Sequence, residues 1–185
     1  MTKKKLKKKS SEIKFDPERS VEWRGPVDHE EYGEVRNEIM DLHKENSEQS
    51  IDLFITSPGG SVTLCFAFYD FIQWAEIPLH TYALGHADSA SLILFLSGQK
   101  RFSGANTFFI VHDLIQSYTE AIDLPLKKMR HELQSLELLQ DQYIKIVLKH
   151  SNKKLDKTKL SIMMREETIV NAEQALEWGW VHGIL

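Results

Sequence analysis

The feature that most constrains this chain is a run of alternating segments in its middle. Ile51–Thr56 is strand-like, first alternating and then continuously apolar, as a buried strand can be. Ser57-Pro-Gly-Gly-Ser61 breaks it. Val62–Ala75 follows with Leu64, Ala67, Phe68, Phe71, Ile72 and Ala75 at helical spacing. Leu79–Leu84 is a second strand ending at Gly85, and Ser89–Leu96 a second helix stopped by Ser97-Gly98. Strand–turn–helix repeated in this way predicts parallel strands joined by right-handed crossovers. Lys100–Phe102 and Thr107–Val111 add two more strands.

The flanks extend the same α/β class. Val21–Val27 reads as a short strand ending in a Gly-Pro turn. Asp28–Glu45 reads as an amphipathic surface helix through Tyr32, Val35, Ile39 and Leu42. Leu124 to about His150 is one long helical run, too long for a small domain's own core. It is expected to project and pack on a partner subunit, the other reading being a long core helix. Lys153–Lys159 reads as a polar connection. Asn171-Ala-Glu-Gln174 opens a last helix with a capping-box pattern, Gly179 closes it, and Val181–Leu185 returns as a strand.

Composition limits the partners. The 185 residues suit one domain. Six lysines fall within the first nine residues; taking them from 23 basic residues leaves 17 against 27 acidic ones, so the rest of the chain is acidic. An acidic body argues against nucleic acid as the main partner. Residues 1–19 are expected to be a disordered basic tail, and residues 20–185 the domain. No apolar segment follows the lysines as in a secretory signal, and the longest apolar run, Ala90–Leu96, is too short to span a bilayer. A single cysteine, Cys65, fits a reducing cytoplasm and reads as buried filler. No GxxxxGK[ST] or GxGxxG occurs, so no bound ATP or dinucleotide is expected. His86, Asp88 and His112 could approach one another, but no zinc-type spacing supports a metal. No cofactor is expected.

Ser89 lies at a strand-to-helix turn, where free N–H groups and the helix dipole favour the negative charge of acyl transfer. The ordinary role of such a serine is an N-cap. Gly59-Gly60 follows a buried strand and allows close approach of the backbone, so its N–H groups could form an oxyanion hole. His112 ends the apolar strand Phe108–Val111. At the same sheet edge as Ser89 it could take the serine proton and return it to a leaving amine.

Ile55-Thr-Ser-Pro-Gly-Gly-Ser-Val62, Ala67-Phe-Tyr-Asp70, Gly85-His-Ala-Asp-Ser89, Ile110-Val-His112 and Asn171-Ala-Glu-Gln-Ala-Leu-Glu-Trp-Gly179, in this order, resemble the proteolytic subunit of the Clp protease. That family consists of serine peptidases with the ClpP/crotonase fold of repeated β–α units and a projecting handle helix. The resemblance implies Ser89 as nucleophile, His112 as general base, and the N–H groups of Gly60 and Ala90 as oxyanion donors. Counting back from Asn171 makes Glu167 the triad acid where the family usually has Asp, with Glu166 a rival. It further implies stacked rings, commonly two heptamers, a cytoplasmic location, peptide or unfolded-protein substrates, and an AAA+ unfoldase that supplies ATP use.

Three departures stand out. Asp88 replaces the family's usual Ala before the nucleophile; it would raise the pKa of His112 if it pointed there, or it could face solvent. The residues after His112 lack the family's glycine-rich strand, and the axial N-terminal segment is not recognisable in residues 1–20. The departures at Glu167, at Asp88 and after His112 keep a non-catalytic ring subunit open as an alternative. An acyl-CoA enzyme of the crotonase type is a further rival, disfavoured by the paired Ser and His.

Overall fold

The computed structural model describes residues 16–118 and 124–185. The lysine-rich stretch expected to be a disordered tail therefore lies mostly outside the described residues. Its last part does not: Pro17–Arg19 form one 3-10 turn, and Arg19 is buried, donating to the carbonyls of Leu42, Asn46 and Gln49.

The strands are β1 (Ser20–Arg24), β2 (Ile51–Ser57), β3 (Leu79–Ala87), β4 (Lys100–Ser103), β5 (Phe108–Val111), β6 (Thr168–Asn171) and β7 (Gly183–Ile184). The helices are α1 (His29–Glu45), α2 (Val62–Trp74), α3 (Ser91–Leu96), α4 (Leu126–Lys149), α5 (Lys157–Arg165) and α6 (Ala172–Trp178). The main sheet runs β1-β2-β3-β4-β7 with every pairing parallel. This is the α/β arrangement of repeated β–α units that the central alternation predicts.

Strand β3 organises the site. It was expected to stop at Gly85, but it runs on to Ala87. Gly85 takes φ +79, and the register against β2 slips between Ile55 and Ser57, which mate with Ala83 and Ala87. The slip is a bulge, and a bulge re-aims a strand. Before it, β3 pairs with β4. Beyond it, His86 pairs with Phe108 of β5. Strand β5 in turn carries β6 antiparallel, Phe108 to Asn171 through Val111 to Thr168. Strand β6 has no counterpart among the elements expected from the sequence.

The helices form where their residues dictate. Asp28 caps α1 by accepting from the N–H groups of Glu30 and Glu31. Helix α2 buries Cys65, Phe68, Tyr69 and Ile72, a face turned slightly from the expected one, so that Ala67 is exposed. Burial pushes the Cys65 thiol up, which makes it inert as a nucleophile. All six residues of α3 are buried. Helix α5 was missed: Asp156 caps it, and Leu160, Met163 and Met164 are its buried face. The Asn171–Gln174 capping box opens α6, and Gly179 ends it at φ +87.

The handle helix α4 is 24 residues long, about 36 Å at 1.5 Å per residue. Only its C-terminal part is anchored, through Tyr143, Ile144 and Val147. Leu126, Met129, Leu133 and Leu138 are exposed. Among the described residues, no helix is long and apolar enough to cross a membrane.

Candidate active site

Four segments converge beyond the bulge of β3: Ser57–Ser61, Ala87–Ser91, the end of β5, and the C-terminal part of α4. The first two are in direct backbone contact. Asp88 N–H donates to Ser57 O at 3.0 Å, and the Ser91 hydroxyl, wholly buried, reaches both Ser57 O and Asp88 O.

The paired glycines serve different neighbours. A Cβ on Gly59 (φ +93) would lie 2.8 Å from Asp88 O and 2.9 Å from the Ser89 Cβ. A Cβ on Gly60 (φ +144) would lie 2.5 Å from Val27 O. Val27 N–H donates to Gly59 O at 2.8 Å, and Ser61 N–H donates to Val27 O at 2.9 Å. That pairing skips the Gly60 N–H, which has no acceptor among the described residues.

Ser89 sits in the left-handed region at φ +54, a conformation that costs a non-glycine residue about 1–3 kcal/mol. Its backbone is tied on both sides: its N–H donates to Ile110 O at 2.7 Å, and its carbonyl accepts from the Tyr143 hydroxyl at 3.1 Å and from Leu92 N–H at 3.2 Å. Its side chain is half-buried, and its hydroxyl has no hydrogen-bond partner among the described residues. Ser89 does not cap α3; the cap position belongs to Ala90, which supplies no side-chain bond. The Ala90 N–H, like that of Gly60, has no acceptor among the described residues.

Asp88 faces neither His112 nor open solvent. It is buried, its Oδ1 accepts from Ile110 N–H at 2.8 Å, and its Oδ2 lies 2.8 Å from His86 Nδ1. The His86 ring stacks on Phe108 at 5.8 Å between centroids.

His112 follows β5 directly and is half-buried. Its Nδ1–H donates to the Asp113 carbonyl at 2.7 Å. That bond puts the ring proton on Nδ1 and leaves Nε2 as a lone-pair acceptor, the tautomer a general base requires. Asp113 is itself held, its N–H on Met164 O at 3.1 Å and its Oδ1 by Gln140 at 3.0 Å. The sequence reading missed Gln140 and Tyr143 as neighbours of the site. Their positions along α4 mark them as inward-facing, but nothing local says what they reach.

Glu167 occupies the turn between α5 and β6 at φ +51 and is exposed. The antiparallel ladder ends with Val111 opposite Thr168, and Glu167 and His112 are the residues that flank this last pair. Its carboxylate has no hydrogen bond or ion pair among the described residues, and neither does that of its rival Glu166. The structure thus packs Gly59, the neighbour of Gly60, against Ser89 and Ala90, and sets His112 directly after β5. No hydrogen bond joins Ser89 to His112, or His112 to Glu167. An apo site often closes such bonds only around substrate.

The comparisons agree with the fold. Residues 4–185 match the family model for Clp protease. The chain is 29% identical over 166 residues to the ATP-dependent Clp protease proteolytic subunit 1 of Tropheryma whipplei strain Twist, covering 86% of this chain and 76% of that protein. It is 28% identical over 172 residues to the ATP-dependent Clp protease proteolytic subunit 1 of Rhodopirellula baltica, covering 90% of this chain and 72% of that protein. With that match across nearly its whole length, and with β–α units and a handle helix in the ClpP/crotonase arrangement, the chain belongs to the Clp protease family.

Proposed function

We propose that this chain is a serine endopeptidase, the proteolytic subunit of a Clp-type compartmentalised protease. One observation carries the reading: the Ser89 hydroxyl is unengaged on a strained turn packed against Gly59, and the N–H groups of the adjacent Gly60 and Ala90 have no acceptor among the described residues. Ala90 is buried, where polar groups are normally paired, whereas Gly60 is exposed; donors left free near a free hydroxyl suit an oxyanion.

In this reading Ser89 Oγ attacks a peptide carbonyl as His112 Nε2 takes its proton. The tetrahedral oxyanion binds the N–H groups of Gly60 and Ala90. His112 then protonates the leaving amine, and water cleaves the acyl-enzyme by the reverse roles. Glu167, which like His112 flanks the last β5–β6 pair, stabilises the imidazolium. Short peptides are cut without ATP. Folded substrates require an AAA+ unfoldase, and the subunits stack as cytoplasmic rings.

The test is intact-mass analysis after exposure to a fluorophosphonate, on wild type and on Ser89→Ala. The expected result is one adduct per chain, absent from the variant. An unlabelled wild type, shown by light scattering to be a ring, would overturn the peptidase reading in favour of a non-catalytic scaffold subunit.

A further inference from the structure

The peptidase reading assigns no role to Asp88 or His86, although they are built into the nucleophile turn. Strand β3 ends at Ala87, and the left-handed turn at Ser89 carries the chain away from β5. A continuing strand would have offered Ile110 a backbone carbonyl. The Asp88 side chain supplies the acceptor instead, taking Ile110 N–H on Oδ1 at 2.8 Å. The next residue completes the pair, with Ser89 N–H on Ile110 O at 2.7 Å. Both polar groups of the Ile110 peptide are thus held by residues 88 and 89, and Ile110 stands two residues before His112.

The other carboxylate oxygen is held too. A carboxylate only accepts, so the 2.8 Å contact has His86 Nδ1–H donating to Oδ2. The His86 ring is in turn fixed by stacking on Phe108, its partner in the β3–β5 pairing. Asp88 is 8% exposed, so its carboxylate has little freedom to leave this arrangement.

We propose that Asp88 is a positioning residue for the nucleophile–base pair, steadied by His86. Its carboxylate joins the Ser89 turn to β5 and thereby sets the spacing between Ser89 and His112. The inference rests on the peptidase reading. It predicts that moving the acceptor slows the chemical step and leaves reagent binding alone.

The experiment measures kinact and KI separately for a fluorophosphonate, on the full chain as wild type and as Asp88→Ala, Asp88→Glu and Asp88→Asn. Asp88→Ala removes the acceptor. Asp88→Glu keeps the charge but shifts the acceptor by one methylene, and both should lose about 100-fold in kinact at unchanged KI. Asp88→Asn keeps an oxygen for Ile110 N–H and should stay within about threefold of wild type. Should Asp88→Ala not fold, the contrast between Glu and Asn decides. Wild-type kinact in the Glu or Ala variant, or an Asn variant as slow as Glu, overturns the inference while Ser89 still labels. A wild type that does not label overturns it together with the peptidase reading.

Discussion

Tyr143 donates its phenol proton to the backbone carbonyl of Ser89 across 3.1 Å. The handle helix is thereby tied to the nucleophile turn by a part-buried hydrogen bond. Burial raises the Tyr143 pKa above its usual value, with Cys65 and Asp88 adding to the effect, so the phenol stays a donor. Anything that shifts α4 against α3 is felt at a residue already held at positive φ.

Tyr143→Phe should therefore cost about 1 kcal/mol, one net hydrogen bond, since Leu92 N–H still serves the carbonyl. In a domain of this size that is a fall of about 2–4 °C in Tm. The fluorophosphonate rate should drop with it. An unchanged rate in a destabilised protein would separate the turn's stability from its chemistry.

Gly59→Ala should be far more damaging to labelling. The new Cβ meets Asp88 O and the Ser89 Cβ inside 3.0 Å, at a φ that alanine rarely adopts. A displaced turn should lose about 100-fold or more in kinact. Gly33→Ala is the control, because Gly33 lies within α1 and its Cβ meets nothing. There the helix gains up to about 1 kcal/mol in thermal or urea unfolding, with no change in labelling.

Arg101 is a buried cation with no carboxylate partner among the described residues; it donates to Gly98 O, Trp180 O and Gly179 O at 2.7–3.1 Å. These carbonyls follow the C-termini of α3 and α6, where the helix dipole favours a cation. Burial pulls its pKa down to about 10. Arg101→Met strips three carbonyls of a donor and should cost about 3 kcal/mol or more by urea denaturation. Arg101→Lys should recover only part of that, since an ammonium cannot span the three directions of the guanidinium.

His150 should make stability depend on pH. Tyr69 Oη lies 2.8 Å from its Nε2, and Lys149 donates to the Tyr69 oxygen at 3.1 Å; a neutral imidazole accepts the Tyr69 proton there. Burial first, and then the charges of Arg101 and Lys149, pull its pKa from 6.5 to about 4. The folded pKa is the lower one. Its contribution is therefore complete above pH 6.5 and is lost as pH falls from there to about 4, while the unfolded chain takes up the proton first. Tm measured across that window should decline, and His150→Gln should flatten this part of the decline.

Glu167 invites a graded comparison with His112. The His112 ring already has its Nδ1 proton fixed by the Asp113 carbonyl. Glu167→Gln should lower peptide hydrolysis by only about tenfold, whereas His112→Ala, which removes the base, should lower it about 1,000-fold or more. Equal losses would mean that the carboxylate closes on the ring once substrate is bound.

Much of the architecture was legible along the chain because it rests on local signals. Strand β2, helices α1 and α2, the capping box at Asn171 and the stop at Gly179 each follow from periodicity and capping chemistry within a few residues. Ser89, His112 and the glycine pair were legible as motifs. Strand β6 and helix α5 were not assigned, since short elements carry little periodicity of their own. Leu160, Met163 and Met164 did hold the spacing of a helical face, overlooked beside the lysines that precede them.

What the sequence by itself determined was which segments become strands and helices, and which residues at their junctions have the chemistry to act. Only the tertiary structure decided how those junctions meet. The bulge at Gly85 carries β3 past its expected end and onto β5. Asp88 turns to Ile110 and His86 and away from His112. Tyr143 comes from more than fifty residues further along the chain to hold the Ser89 carbonyl. The physical reason is range. A cap or a repeat is satisfied within one or two turns of chain, whereas a buried carboxylate or a backbone carbonyl at a strained turn takes whichever partner the fold brings within hydrogen-bond reach.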